Sequence, residues 1–314
     1  MRLALGLGLL ALAVGSAELA TVGETLLGLN PWLALAALAL FLGDRALMAY
    51  KWDVLLRARS IGIGFLTALR LYLVSGLVGT VTPGGIGGDV YRVVALAGFR
   101  PKSAVAATVI VERLLGVVVM GLFTLATLPA AAEYFGLTSP AAAWSIVVLV
   151  VASLGAFLLP LRPGAAERLW QRVPLLRLQR IRDKLDLFLA AYREPGAHSA
   201  TATFLALTVL DMLVMIAVDL VAARALGIDA PWLFFIVTTP AIQFLGRLPI
   251  TVGGLGVQEG LYVVALVHAG FPPETGVAFA LLRRVIPLCI AQLPAALLLW
   301  LRPVPTTLVE RPAP

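Results

Sequence analysis

Thr82-Pro83-Gly84-Gly85-Ile86-Gly87-Gly88-Asp89 and Thr251-Val252-Gly253-Gly254-Leu255-Gly256-Val257-Gln258-Glu259 are two glycine-rich breaks set between apolar segments, and they read as copies of one another. After each comes Val-Val-Ala-Leu, at Val93 to Leu96 and at Val263 to Leu266. Each copy then places an arginine inside the next apolar stretch, Arg113 and Arg283. A single inserted residue in the second copy sets Asp89 opposite Glu259, Val93 opposite Val263 and Arg113 opposite Arg283. Corresponding Gly/Pro-interrupted segments in two halves of a chain point to a transporter-type binding site. The bland alternative is chance similarity of turns. Against it, the shared features extend over roughly thirty residues and include an intramembrane charge.

Composition decides the solvent. The chain is 61% hydrophobic and only 13% charged, against roughly 25% charged residues in average globular chains. So few charges cannot cover the surface of a soluble fold of 314 residues. The apolar runs are long and continuous, which indicates membrane-spanning helices rather than a barrel. The net charge of +7 does not argue for nucleic acid, because the basic residues fall between spans. There they act as orientation signals and lipid head-group contacts. The single cysteine, Cys289, excludes an internal disulfide and a cysteine-based metal site. His198 and His268 are far apart, so no metal cluster and no cofactor is expected.

The expected fold is an all-α polytopic membrane protein, one integral domain over 1–314. Leu3 to Ala17 reads as an uncleaved first span; the competing reading is a signal peptide cut near Val14-Gly15-Ser16-Ala17. Full spans follow at Pro31 to Leu56, Ser103 to Ala130, Ala141 to Leu161, Ala197 to Ala223 and Thr275 to Leu301. The pieces beside the glycine breaks are Gly64 to Val81 with Asp89 to Ala97, and Pro231 to Leu245 with Val257 to Ala269. Asp89 to Ala97 rises only about 14 Å as a helix, against a hydrocarbon core of about 30 Å. Each broken segment is therefore expected to be a re-entrant hairpin. Non-helical backbone at that depth is tolerated only where protein or a wet cavity receives it.

Positive charge orients the chain. Lys51 to Arg59, Arg100 to Lys102 and the basic amphipathic insert 162–196 are expected in the cytoplasm, while the loops between them carry Glu18, Glu24 and Glu133. Six full spans plus two hairpins satisfy these assignments with both termini inside. The first hairpin then enters from the cytoplasm and the second from outside. Repeat one (31–130) and repeat two (197–302) are thus inverted, as in alternating-access carriers. The rival topology counts the hairpin arms as true spans.

Arg113 and Arg283 lie about ten residues into their helices, near mid-bilayer. An arginine there costs at least roughly 2.5 kcal/mol and usually faces a pathway. Guanidinium grips phosphate in a bidentate fork, which suits a lipid head group. The alternative role is an internal ion pair. Adjacent Glu112 does not face Arg113 along a helix, so Asp89, Asp211 and Glu259 are the candidate partners. Gly84, Gly85, Gly87, Gly253, Gly254 and Gly256 allow positive φ and close approach, and expose N–H groups to an anion at a helix start. Asp89 and Glu259 either cap those N–H groups or handle substrate or protons. Arg92 and Arg247 flank the breaks as further phosphate contacts. Asp211 and Asp219 are acidic residues at depth. Gln258 adjoins Glu259, and Gln243 and Gln292 read as interhelical glue.

The segments Thr82 to Arg92, Glu112-Arg113 and Gly253-Gly254-Leu255-Gly256-Val257-Gln258-Glu259-Gly260 resemble the lysylphosphatidylglycerol synthase transmembrane family, over nearly the whole chain. That family includes the flippase domain of the multiple peptide resistance factor and free-standing flippase-like proteins. The resemblance implies lipid translocation across the cytoplasmic membrane of a prokaryote. The sequence ends at Pro314 soon after the last span, so the likeness is to the flippase part without its synthase domain. The lipid is therefore open: an aminoacylated phospholipid, another phospholipid or a polyprenyl-phosphate-linked lipid. The alternative function is a proton- or ion-coupled carrier of a small anionic solute. No catalytic constellation stands out, and no enzyme is expected. Membrane lipids are the expected partners; a homodimer and a separate lipid-modifying enzyme stay open, and nucleic acid is not expected.

Overall fold

The computed structural model describes residues 17–80, 82, 85–97, 102–136, 139, 197–247, 251 and 254–301, with scattered positions between 6 and 15 and between 141 and 155. Gly84, Gly253, the insert 162–196 and most of the first and fourth expected spans lie outside them. Every described element is a helix. They are α1 (Leu19–Leu27), α2 (Pro31–Arg57), α3 (Phe65–Thr80), α4 (Ile86–Ala95), α5 (Lys102–Tyr134), α6 (Ala197–Ala225), α7 (Trp232–Gly246), α8 (Val257–His268) and α9 (Pro273–Pro287). A π-helical turn (Leu288–Gln292) then leads into α10 (Leu293–Leu301).

Four stretches are long and apolar enough to cross a membrane: Pro31–Arg57, Lys102–Ala131, Ala200–Ala225 and Pro273–Leu297. The helix α2 starts where the sequence signals it. Asn30 Oδ1 accepts from the backbone N–H groups of Trp32 and Leu33, at 3.0 and 3.2 Å, and Pro31 takes the first helical position. The arms beside the breaks are shorter: α3 has 16 residues, α4 10, α7 15 and α8 12. Both second arms begin at a glycine in a positive-φ conformation, Gly85 (φ 70°) and Gly256 (φ 79°), and Gly254 has φ 71° as well. A side chain at any of these positions would be strained.

The long helices α2 and α6 pack along one another. They run antiparallel: the Asn30 N–H at the start of α2 donates to the Ala225 carbonyl at the end of α6, at 2.7 Å. Around this pair, α3 lies against the π turn and α10, while α7 lies against α5. The arms of each break also pack on each other, α3 on α4 and α7 on α8. Gly88 makes the first contact close, since a Cβ there would stand 2.2 Å from the Ser75 carbonyl oxygen. The main core gathers on the second break, where Phe234, Phe235, Tyr262 and Phe279 meet with ring centroids 5.0 to 6.1 Å apart. A smaller core holds Trp52, Leu71, Tyr72 and Leu96 around the first.

Lys51, counted with Arg57 and Arg59 among the charges that orient the second span, lies inside α2, 2% exposed, with Nζ 3.1 Å from Asp211 of α6. A buried carboxylate on the facing helix draws it inward.

Gly88→Ala should lower the melting temperature of the detergent-purified protein, because overpacking of this kind costs about 1–3 kcal/mol. Gly260→Ala serves as the matched control. It meets nothing within 4 Å and should be neutral or stabilising, since alanine favours a helix over glycine.

Candidate functional site

The first break is held by a buried chain of charges. Glu112 of α5 accepts the Tyr72 hydroxyl of α3 at 2.8 Å and Nη1 of Arg92 of α4 at 2.6 Å. Arg92 also donates from Nη2 to Asp89 at 3.0 Å, and Asp89 pairs in turn with Arg113. The Arg92 guanidinium lies 4.9 Å from the centroids of both the Trp52 and the Tyr72 rings, which favours a cation there. One carboxylate on a long helix thus fastens both arms of the break. Thr82 caps the second arm, its Oγ1 accepting from the Gly87 N–H at 2.9 Å.

The second break repeats the plan with other residues. Asp219 of α6 accepts Thr239 of α7 at 2.8 Å and the Tyr262 hydroxyl of α8 at 2.6 Å, and pairs with Arg283 of α9. Again one buried carboxylate ties both arms to a long helix. Tyr262 stands three residues after Glu259 just as Arg92 stands three after Asp89, so corresponding positions both reach the clamping carboxylate. Glu259 caps its own helix, accepting from the Gly256 N–H at 2.7 Å. Its other oxygen receives Nε of Arg284 at 2.6 Å.

Beside the second break lies a cavity of about 270 Å³. It is lined from α2 (Phe41, Arg45), α3 (Gly76, Thr80), α6 (Met215), the second break and its arms (Gln243, Arg247, Gln258, Glu259, Tyr262), and α9 with the π turn (Arg283, Arg284, Pro287, Gln292). Pro287 removes a helix hydrogen-bond donor, and the backbone widens there into the π turn, a distortion common at functional sites. Four arginines face this space. Arg45 pairs with Asp44, Arg283 with Asp219, and Arg284 with Glu259. Among the described residues, the Arg247 guanidinium has no carboxylate within ion-pairing distance. It rests over Gly116 of α5, whose added Cβ would lie 3.3 Å from Arg247 Nη1. Arg45, Arg113 and Asp211 act on it electrostatically. A second cavity of about 150 Å³, apolar, lies between α5 and the arms α7 and α8, lined by residues such as Leu128, Phe135, Phe244 and Leu261.

Most of the charged sequence-derived residues therefore fall into two groups. Arg247, Gln258, Glu259 and Arg283 line the cavity. Arg92, Glu112, Asp89 and Arg113 form the chain beside the first break, with Arg113 Nη2 3.2 Å from where a Gly85 Cβ would stand. Asp211 pairs with Lys51 between α2 and α6. The partner of Arg283 is Asp219, outside the three carboxylates proposed for it, and Glu259 serves the neighbouring Arg284. The Gly87 and Gly256 N–H groups are occupied by Thr82 and Glu259 rather than open to an anion. Asp44, Arg45, Lys51, Tyr72 and Tyr262 are absent from the sequence-derived site. For the first three the signal was available, as charges inside an otherwise apolar span. The tyrosines carry no such mark.

An all-helical chain with four helices able to cross a bilayer and a polar, arginine-lined cavity among them is a polytopic membrane protein. The chain matches the family model of the lysylphosphatidylglycerol synthase TM region over residues 1–295, and it belongs to that family. It is also similar to a "UPF0104 membrane protein" of Methanothermobacter thermautotrophicus, with 25% identity over 293 residues, 88% of this chain and 86% of that relative.

Glu112→Ala leaves Arg92 buried without its main partner. Breaking a buried pair in this way costs about 3–5 kcal/mol, so the variant should lose most of its folded yield by fluorescence-detected size exclusion. Asp89→Ala strips a more accessible carboxylate and should cost less.

Proposed function

We propose that the protein moves a phosphate-bearing lipid across the cytoplasmic membrane of a prokaryote, acting as a carrier rather than an enzyme. The observation that carries this reading is Arg247: a guanidinium facing a polar cavity, with no carboxylate in ion-pairing contact among the described residues, beside Arg45, Arg283 and Arg284. An intramembrane cation that is only partly neutralised, by Asp211, favours an anionic guest, and a guanidinium fork matches phosphate oxygens. The cavity has the size of a head group. The apolar cavity on the other side of α7 offers room for part of an acyl chain, which supports a lipid over a small anionic solute, the second reading.

In this reading the two broken segments are re-entrant hairpins of inverted repeats. Support comes from arms too short to cross and from a clamping carboxylate used once in each half, Glu112 and Asp219. The reciprocal seating of α3 on α10 and of α7 on α5 adds to it. Both termini then lie in the cytoplasm, and the head group crosses between opposed glycine tips while its chains stay in lipid.

Proteoliposomes carrying fluorescent phospholipids test this by dithionite bleaching. Wild type should bleach the inner-leaflet pool faster than protein-free vesicles. Arg247→Ala should slow it at least about tenfold, since a hydrogen bond to a charged group contributes about 1.5–3 kcal/mol, and Arg247→Lys should retain part of the rate. Wild-type bleaching no faster than empty vesicles, with zwitterionic and with anionic lipids, would sink the translocase reading. Full rates in Arg247→Ala would sink the site.

A further inference from the structure

The α2–α6 contact holds a second feature that the head-group site does not use. Asp44 of α2 is completely buried, and its carboxyl lies against the carboxyl of Asp211 of α6, itself only 6% exposed. One Asp44 oxygen is taken by Arg45. The other, Oδ1, is buried and has no donor among the described residues. Two buried carboxylates facing each other repel, and a proton between them relieves that repulsion. The pair stands fourteen residues in from the Asn30–Ala225 contact on both helices, about 21 Å along the helix axis.

The groups around the pair decide which cation it can take. On α2 itself are Arg45 and Lys51, the latter 3.1 Å from Asp211. From α3 comes Tyr72, which acts on Arg45, and from α9 Arg283, which acts on Asp44. From the second break comes Arg247, which acts on Asp211 and feels the like charge of Arg113 of α5. Cationic side chains already occupy the outer oxygens, so a metal ion would face them directly. A proton needs no such space and satisfies the orphaned oxygen.

We propose that Asp44 and Asp211 form a proton-binding site that couples proton uptake to anion binding at Arg247, deepening and resting on the translocase reading above. The link is Asp211. While the pair is doubly charged, Asp211 partly neutralises Arg247. A proton on Asp44, donated in a hydrogen bond to Asp211, removes one negative charge from the cluster and frees Arg247 for a phosphate oxygen. By linkage the effect is reciprocal: anion binding draws in the proton. Affinity for the anion therefore rises as pH falls.

Dihexanoyl phosphatidylglycerol is a suitable probe, because its phosphodiester keeps one charge throughout. Its binding to the detergent-purified full chain should tighten from about pH 8 to about pH 5, by up to about tenfold per pH unit where one proton is taken up. Calorimetry in buffers of different ionisation enthalpy should count that proton. In Asp44→Asn the amide donates to Asp211 as the protonated acid would. The variant should bind with the wild type's low-pH affinity at every pH and take up no proton, whereas loss of a merely structural contact would weaken binding. Without any ligand, the infrared band of protonated carboxyls should be weaker in Asp44→Asn and in Asp211→Asn than in wild type. Wild-type binding without pH dependence, an unchanged proton count in Asp44→Asn, or an infrared band unchanged in both variants overturns the proposal. Absence of wild-type probe binding with the infrared difference intact overturns the anion site and the coupling instead, and leaves the shared proton.

Discussion

A carboxylate inside a membrane protein has no water to fall back on, and this chain is arranged around meeting that demand. Glu112, Asp219, Glu259, Asp44 and Asp211 are all buried. Each of the first three draws partners from other elements or from a helix start, and so converts a costly charge into a join. Glu112 gathers Tyr72 and Arg92; Asp219 gathers Thr239, Tyr262 and Arg283. The arms beside the breaks are too short to be positioned by their own hydrophobic length. The clamping carboxylates hold them where apolar contact alone would leave them free to slide. Such pairs contribute less to stability than to register, since desolvation offsets much of their attraction.

The two breaks share a plan and differ in charge, and that difference bears on function. At corresponding positions the first carries Arg92 and the second Tyr262. The first break satisfies its arginines with Asp89 and Glu112. The second leaves its flanking arginine, Arg247, facing the cavity. Two equal halves with every charge internally matched would offer no reason for an anion to enter. The positive bias of the second half supplies that reason within the proposed mechanism, and the Asp44–Asp211 contact at the junction of α2 and α6 supplies a way to modulate it.

Much of this was legible in the sequence. Long apolar runs announce helices because the bilayer core leaves no other way to satisfy the backbone. The bounds expected for α2 to α8 lie within a few residues of those observed, except that α5 runs on past Pro129 to Tyr134, and the single span expected over Thr275 to Leu301 is divided into α9, a π turn and α10. The glycines signalled the breaks, and Gly85, Gly254 and Gly256 do adopt positive φ. Arg113 with Asp89 was among the pairings the spacing allowed.

The tertiary structure alone decided the rest, because partner choice depends on which helix faces which. Nothing in the local sequence around Arg283 points to Asp219, sixty-four residues earlier, and Glu259 was equally available until Arg284 turned toward it. In the sequence Lys51 is one of the basic residues near the end of its span, with Arg57 and Arg59; only the antiparallel α2–α6 contact shows it reaching Asp211. The same contact brings Asp44 against Asp211, and Arg247, from the end of α7, acts on Asp211. Composition and periodicity fix what a segment is, since they act along the chain. The cavity and its charges arise across the chain, from the geometry of helices brought side by side.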